Sequence, residues 1–270
     1  MSGNAGAPTA LTRWTGNLLL QAAVFCIFIS GWEGAVRFFG IPKIVLPPPS
    51  QIAVAMWESV RSGDLQWHLA VTMYEIMAGF VIGAVGGLVL GFIIALSPLM
   101  ERIFYPYVIA FQTIPKVAIA PIIVIWFGYG VASKIVITAT IAFFPLLANT
   151  IMGLRAAPYD QVEMMVSYTA TRWQVFRMVR LLQALPYIFV GLDVAIVLSV
   201  IGAIVGEFVG AKAGLGYLIL QKNFNFDMAG TFAILIILSV IGVGLHAVIV
   251  VAQRRIVFWM DTTGDRVTGA

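Results

Sequence analysis

Three ionisable side chains, Lys116, Asp193 and His246, stand inside long apolar runs of this sequence. A charge at membrane depth is expensive, so such residues face a cavity or one another. For Lys116 and Asp193 this leaves two chemistries open, contact with a polar solute or a lysine–carboxylate pair. Lys116 follows Pro115 and has a third option, binding the carbonyls that a proline break frees. His246 reads as a packed or hydrogen-bonded helix histidine rather than a proton relay. His68 falls toward the opposite face, and no carboxylate cluster accompanies either histidine, which argues against a membrane enzyme. Cys26 has no cysteine partner and no metal-ligand spacing, and is expected to be a small buried hydrophobe. No G-x-x-x-x-G-K-[ST] phosphate loop occurs; GAKAGLGYL is glycine-rich but lacks the Lys-Ser/Thr ending and reads as tight packing at the membrane surface. Glu207, just before it, is expected to order that turn rather than bind solute.

The elements that must position these residues are transmembrane helices. Of 270 residues, 61% are hydrophobic and 10% charged, against the roughly 25% charged residues of soluble domains. The basic residues behind a net charge of +4 are scattered singly, with no patch to suggest nucleic acid. The fold class expected is an all-α integral membrane protein, one domain over 1–270, with six spans at 14–39, 71–100, 103–127, 135–154, 185–206 and 228–253. Residues 1–13 are polar and expected to be a mobile cytoplasmic tail; the first run is too long for a signal-peptide core and no small-x-small cleavage site with a polar mature start follows. After Pro47, Pro48 and Pro49, Ser50 is placed to cap a surface helix whose apolar stripe is Ile52, Met56 and Val60. Gly79, Gly83, Gly86, Gly87 and Gly91 give the second span small-x-x-x-small spacings for close helix approach. Pro106, Pro115 and Pro121 interrupt the third span, and freed backbone groups at membrane depth survive only beside protein or a water-filled cavity. Thr113, Pro115 and Lys116, with Asn149 in the fourth span and Asp193 in the fifth, are the candidates for a translocation path.

Six spans with the N-terminus inside place Arg13, Arg102, Arg155, Arg172, Arg177, Arg180, Arg254, Arg255 and Arg266 in the cytoplasm, and leave Arg37, Lys43, Arg61, Lys134, Lys212 and Lys222 outside. Trp14 and Trp259 then fall near the inner interface and Trp32 and Trp126 near the outer one. On the cytoplasmic side lies the loop 158–184, running on to Pro186. Val162, Met165, Val166, Trp173 and Phe176 recur there at helical spacing, with Glu163, Ser167, Thr171 and Gln174 on the other side. Two readings stand from periodicity alone: docking to a protein outside the membrane, or an amphipathic helix lying on anionic lipid.

The segment EMMVSYTATRWQVFRMVRLLQALP resembles the EAA loop of permease subunits of bacterial ABC importers. Glu163 matches the pattern's glutamate, Arg172, Trp173, Phe176 and Leu181 follow the usual run, and Pro186 closes it. LPPPS, IPKVAIAP, WFGYGVASKI, FFPLLANTIMGL and GAIVGEFVGAKAGLGYLI occur in the family's order, so that the resemblance covers about residues 46–258. Together they resemble its nitrate, sulfonate and taurine branch.

The resemblance implies a non-catalytic subunit of a nutrient importer in the bacterial inner membrane, with both termini cytoplasmic. It implies a second permease copy, usually as a homodimer, two ABC ATPase subunits that hold ATP and Mg, and a periplasmic solute-binding protein; the chain itself would carry no cofactor. Glu163, Met164, Met165, Ser167, Thr169, Arg172, Trp173 and Phe176 would contact the ATPase. The pattern's two alanines are Met164 and Met165 here, its glycine is Thr169 and its first proline Leu182. A docking turn of altered shape is the expectation, because β-branched residues resist positive φ. Glu75 and Asp193 stand where the branch often has a basic residue. The rival classes are a self-sufficient channel, which leaves the docking loop unexplained, and a membrane-embedded enzyme.

Overall fold

The computed structural model describes residues 10–259, all helix and connecting turns with no strand among them. Residues 1–9 of the expected tail, Arg266, and the side chains of Arg13 and Trp14 lie outside what is described. In chain order the helices are α1 (Ala10–Phe38), α2 (Pro49–Arg61), α3 (Asp64–Leu96), α4 (Pro98–Thr113), α5 (Lys116–Phe127), α6 (Val131–Arg155), α7 (Tyr159–Ser167), α8 (Arg172–Val175), α9 (Leu181–Gly210), α10 (Leu215–Phe224) and α11 (Met228–Ile256). A π-helical turn, Phe176–Arg180, joins α8 to α9. Five helices are long and apolar enough to cross a membrane, and α4 with α5 makes a sixth crossing if the bent pair counts as one.

The core is α6 held between α3 and α9, with Ile76, Ala142, Leu146, Ala184, Ile188 and Ala195 buried in one cluster. The spacing of Gly79, Gly83, Gly87 and Gly91 places all four on the α6 side of α3. A methyl on Gly83 would come within 2.5 Å of the Ala139 carbonyl oxygen, and one on Gly87 within 2.7 Å of that of Phe143, whereas Gly86 has only the Phe143 ring at 3.4 Å. Backbone cannot yield as a side-chain tip can. Gly83→Val is therefore expected to cost about 1–3 kcal/mol, read as a lower unfolding temperature in detergent. Gly86→Ala is the control that leaves it unchanged; equal melting of the two variants would remove the close seam as a determinant of stability.

The third expected span, 103–127, is two helices meeting at 93°. Pro115 cannot donate to the helix ladder and Ile114 before it is extended at ψ 128°, so the chain turns there, while Pro106 and Pro121 are accommodated inside α4 and α5. The second and fifth expected spans also start earlier, at Asp64 and Leu181.

The helix after the proline run is capped differently from the expectation. Pro48 is the N-cap and Pro49 opens α2; Ser50, already inside, donates its N–H (3.0 Å) and hydroxyl (2.8 Å) to the Glu33 carboxylate of α1. Trp32 packs edge-on against Phe232 of α11 at 6.0 Å, while Trp126 is exposed. Away from this attachment α1 stands clear of the bundle. Cys26 is consequently exposed and not a buried hydrophobe.

Candidate functional site

The loop between α6 and α9 is two helices where the periodicity suggested one. Thr171 is the N-cap of α8: its hydroxyl accepts from the Gln174 N–H (3.3 Å), and its own N–H donates to Gln174 Oε1 (2.7 Å). Residues expected on the polar face of a continuous helix thus form a capping box that starts a new one. Between α7 and α8, Thr169 takes φ 59°, the conformation glycine adopts freely. The replacement of glycine therefore leaves the backbone in left-handed geometry, at a strain of roughly 1–2 kcal/mol.

Arg172 to Gly210 forms one continuous helical rod, with Val175 and Val179 buried where it joins the core. Its single π turn, Phe176–Arg180, is the kind of helix irregularity that recurs at functional sites. Glu163, Met164, Ser167, Thr169, Arg172 and Trp173 are exposed and Met165 is half-buried. Trp173 is 66% exposed and stacks on Phe176 at 5.4 Å. Phe176 in turn meets Phe92 of α3 edge-on at 6.1 Å, so that it belongs to the chain's own core and Trp173 is the ring presented outward.

The 93° bend opens a cavity of about 520 Å³ between α4, α5, α6 and α9, lined by Gln112, Lys116, Phe144, Asn149, Met152 and Ile201 among others. Lys116 is the charged residue among those described on its wall. Its ammonium donates to the Gln112 carbonyl at 3.1 Å, replacing the backbone bond that the bend removes, and lies 4.9 Å from the Phe144 ring centroid. Asn149 donates its amide N–H to the Pro145 carbonyl at 2.8 Å, and Phe144 stacks on Phe111. Lys116 and Asn149 therefore share one cavity. Thr113 turns its hydroxyl to the Ala110 carbonyl, and Pro115 makes the bend without lining the space. Asp193 lies elsewhere, with Oδ1 2.5 Å from His246 Nδ1 of α11. The lysine–carboxylate option for Asp193 gives way to a histidine partner, and His246 does have a carboxylate beside it.

A polar corner where α3, α6, α9 and the start of α10 meet escaped sequence reasoning except for Glu207. The Glu207 carboxylate accepts from the Thr72 hydroxyl (2.6 Å) and from the N–H groups of Gly216 (2.5 Å) and Tyr217 (3.2 Å). The Leu215 N–H donates to Thr72 Oγ1 and the Gly214 N–H to His68 Nδ1, so the first backbone donors of α10 are all taken by side chains of α3 and α9. Gly214, at φ 119°, is required, since a methyl there would lie 2.3 Å from Glu207 Cδ. Lys134, expected as an exposed outer charge, is 1% exposed and donates to the carbonyls of Tyr129 (2.7 Å) and Gly210 (3.0 Å). The available signal was a carboxylate in the last turn of a span, followed by Gly-Leu-Gly opening a helix that needs acceptors. Nearby, Asp227 caps α11: burial raises its pKa, but the Gly230 N–H and the Lys222 ammonium together hold it below the usual carboxylate value.

Comparison with known proteins places this architecture. Residues 87–258 match the family model described as "Binding-protein-dependent transport system inner membrane component". The riboflavin transport system permease protein RibX of Chloroflexus aurantiacus is 36% identical over 228 residues, covering 84% of this chain and 85% of the relative. The putative aliphatic sulfonates transport permease protein SsuC of Bacillus subtilis is 30% identical over 250 residues, covering 92% and 89%. In fold the chain resembles a crystal structure of an amino acid ABC transporter, with a TM-score of 0.59 at 18% identity over 70% of this chain and 92% of that one. The chain belongs to the family of binding-protein-dependent transport system inner membrane components, as a multi-pass, non-catalytic permease of the ABC importer kind.

Proposed function

We propose that two copies of this permease form a homodimeric pore through which a compact organic nutrient or small anion enters the cell, driven by two ABC ATPase subunits that bind ATP and Mg. Both termini and the α7–α8 turn are cytoplasmic, and a periplasmic solute-binding protein delivers the solute at the α2–α10 end. The observation that carries the reading is the exposed turn at Glu163–Trp173 leading without a break into α9. An ATPase that grips the turn moves a membrane-crossing rod. Glu163, Met164, Met165, Ser167, Thr169, Arg172 and Trp173 form the contact surface, and Phe176 supports Trp173 from behind.

The solute passes the Lys116–Asn149 cavity. RibX and SsuC carry the names of an extended heteroaromatic and of sulfonates, so relatedness alone does not choose the solute class. The cavity wall favours a solute with an apolar or ring-shaped body against Phe144 and Met152 and an anionic or acceptor group toward the Lys116 ammonium. Thr113 and Pro115 act through the bend. Asp193, paired with His246, does not line this cavity.

The test is uptake into proteoliposomes containing the permease, its ATPase and its binding protein. Uptake is expected to require ATP, and Lys116→Gln to lower it about tenfold, the loss of one charge-assisted contact of roughly 1.4 kcal/mol, with the ATPase still bound. Flux through the permease alone, without nucleotide, would replace the importer reading by that of a channel. Unchanged uptake in Lys116→Gln would take the path away from this cavity.

A further inference from the structure

Glu75 of α3 is 1% exposed, and its Oε2 has no hydrogen-bond partner. It stands one turn along α3 from Thr72, on the same helix face, and the Thr72 hydroxyl donates to Glu207, the group that holds the start of α10, so the two buried carboxyls share one corner. Two carboxylates offer only acceptors to each other, so a bond between them requires a hydrogen. We propose that Glu75 and Glu207 bind a single proton, carried by Glu75 and donated to Glu207, and that this proton ties α3 to the α9–α10 corner.

The surrounding groups decide which carboxyl carries it. Glu207 accepts from Thr72 Oγ1 and the N–H groups of Gly216 and Tyr217, at a helix N-terminus that favours negative charge; it is the anion. Lys134 from α6 supplies one positive charge, and its ammonium is directed to the carbonyls of Tyr129 and Gly210 rather than to a carboxylate. One anion and one cation balance. A second negative charge on Glu75 would have no counter-charge among the described neighbours and one oxygen without a donor, the arrangement that buried groups avoid by taking up a proton. The other titratable groups at the corner are His68 of α3, whose Nδ1 accepts from the Gly214 N–H, and Tyr217 of α10, whose ring stacks on His68 at 5.7 Å; neither donates to Glu75. Retaining the proton keeps the corner neutral and closed, and losing it sets two anions against each other beneath the α10 N-terminus.

Infrared spectroscopy of the full-length chain in lipid tests this directly. At neutral pH a protonated carboxyl C=O absorption is expected, shifting in D₂O, converting to carboxylate as the pH is raised, and absent from Glu75→Gln. Glu75→Gln, which reproduces the neutral acid in shape, is expected to keep the Tyr217 position protected from a cysteine reagent at alkaline pH, where the parent exposes it. Glu75→Asp keeps a protonated band at a shifted position, and decides the matter should Glu75→Gln not be recovered folded. A parent with no protonated carboxyl at neutral pH, or a band that neither Glu75 variant alters, overturns the proposal.

Discussion

Trp173→Ala is expected to strip the ATPase from the purified permease while leaving the membrane fold intact. The ring is 66% exposed and stacks on Phe176, which is anchored on Phe92, so it is a rigid apolar projection with no solvent-facing partner in its own chain. Truncating such an interface anchor commonly costs about 2 kcal/mol or more, roughly a thirtyfold loss of affinity. Glu163→Arg reverses a charge on exposed α7 and is expected to add to the loss through mispairing at the rim. Co-purification of the ATPase and solute-stimulated ATP hydrolysis measure the effect, with the unfolding temperature of the isolated permease as the control. Should both variants retain and stimulate the ATPase as the parent does, α7 and α8 are a membrane-surface element and coupling lies elsewhere.

The second large effect concerns Glu207. Glu207→Ala leaves the N–H groups of Gly216 and Tyr217 and the Thr72 hydroxyl without their acceptor, and leaves the buried Lys134 ammonium without a compensating anion. Breaking a buried, hydrogen-bonded charge arrangement from one side costs on the order of 3–5 kcal/mol. The expected result is a strongly lowered unfolding temperature in detergent, together with rapid labelling of a cysteine placed at Tyr217, because α10 loses the side chain that holds its first turn. Glu207→Gln retains an acceptor oxygen and is expected to fall between the parent and the alanine variant. An alanine variant that melts with the parent would mean that α10 is held by its apolar contacts with α9 and α11 alone.

The membrane class, the close helix approach through Gly79, Gly83, Gly87 and Gly91, and the ordering role of Glu207 were all legible in the sequence, because each rests on local spacing. Hydropathy reports how long an apolar run is, and a four-residue interval reports which residues share a helix face. The same local signals marked the loop at Glu163–Trp173 as unusual, although they merged α7 and α8, since periodicity cannot detect a turn that a threonine accepts at positive φ and a Thr171–Gln174 box restarts. Everything that depends on which faces meet was decided by tertiary structure. A proline in a span is visible, but the 93° angle at Pro115 and the cavity it opens depend on what α6 and α9 present to the bend. Lys134 looks like an exposed loop charge until the carbonyls of Tyr129 and Gly210 converge on it, 76 residues separating the lysine from the second of them. Asp193 meets His246 across 53 residues, and Thr72 meets Glu207 across 135. Sequence spacing carries no information about such pairs, because their energy comes from desolvation and from partners that only the packed helices bring together.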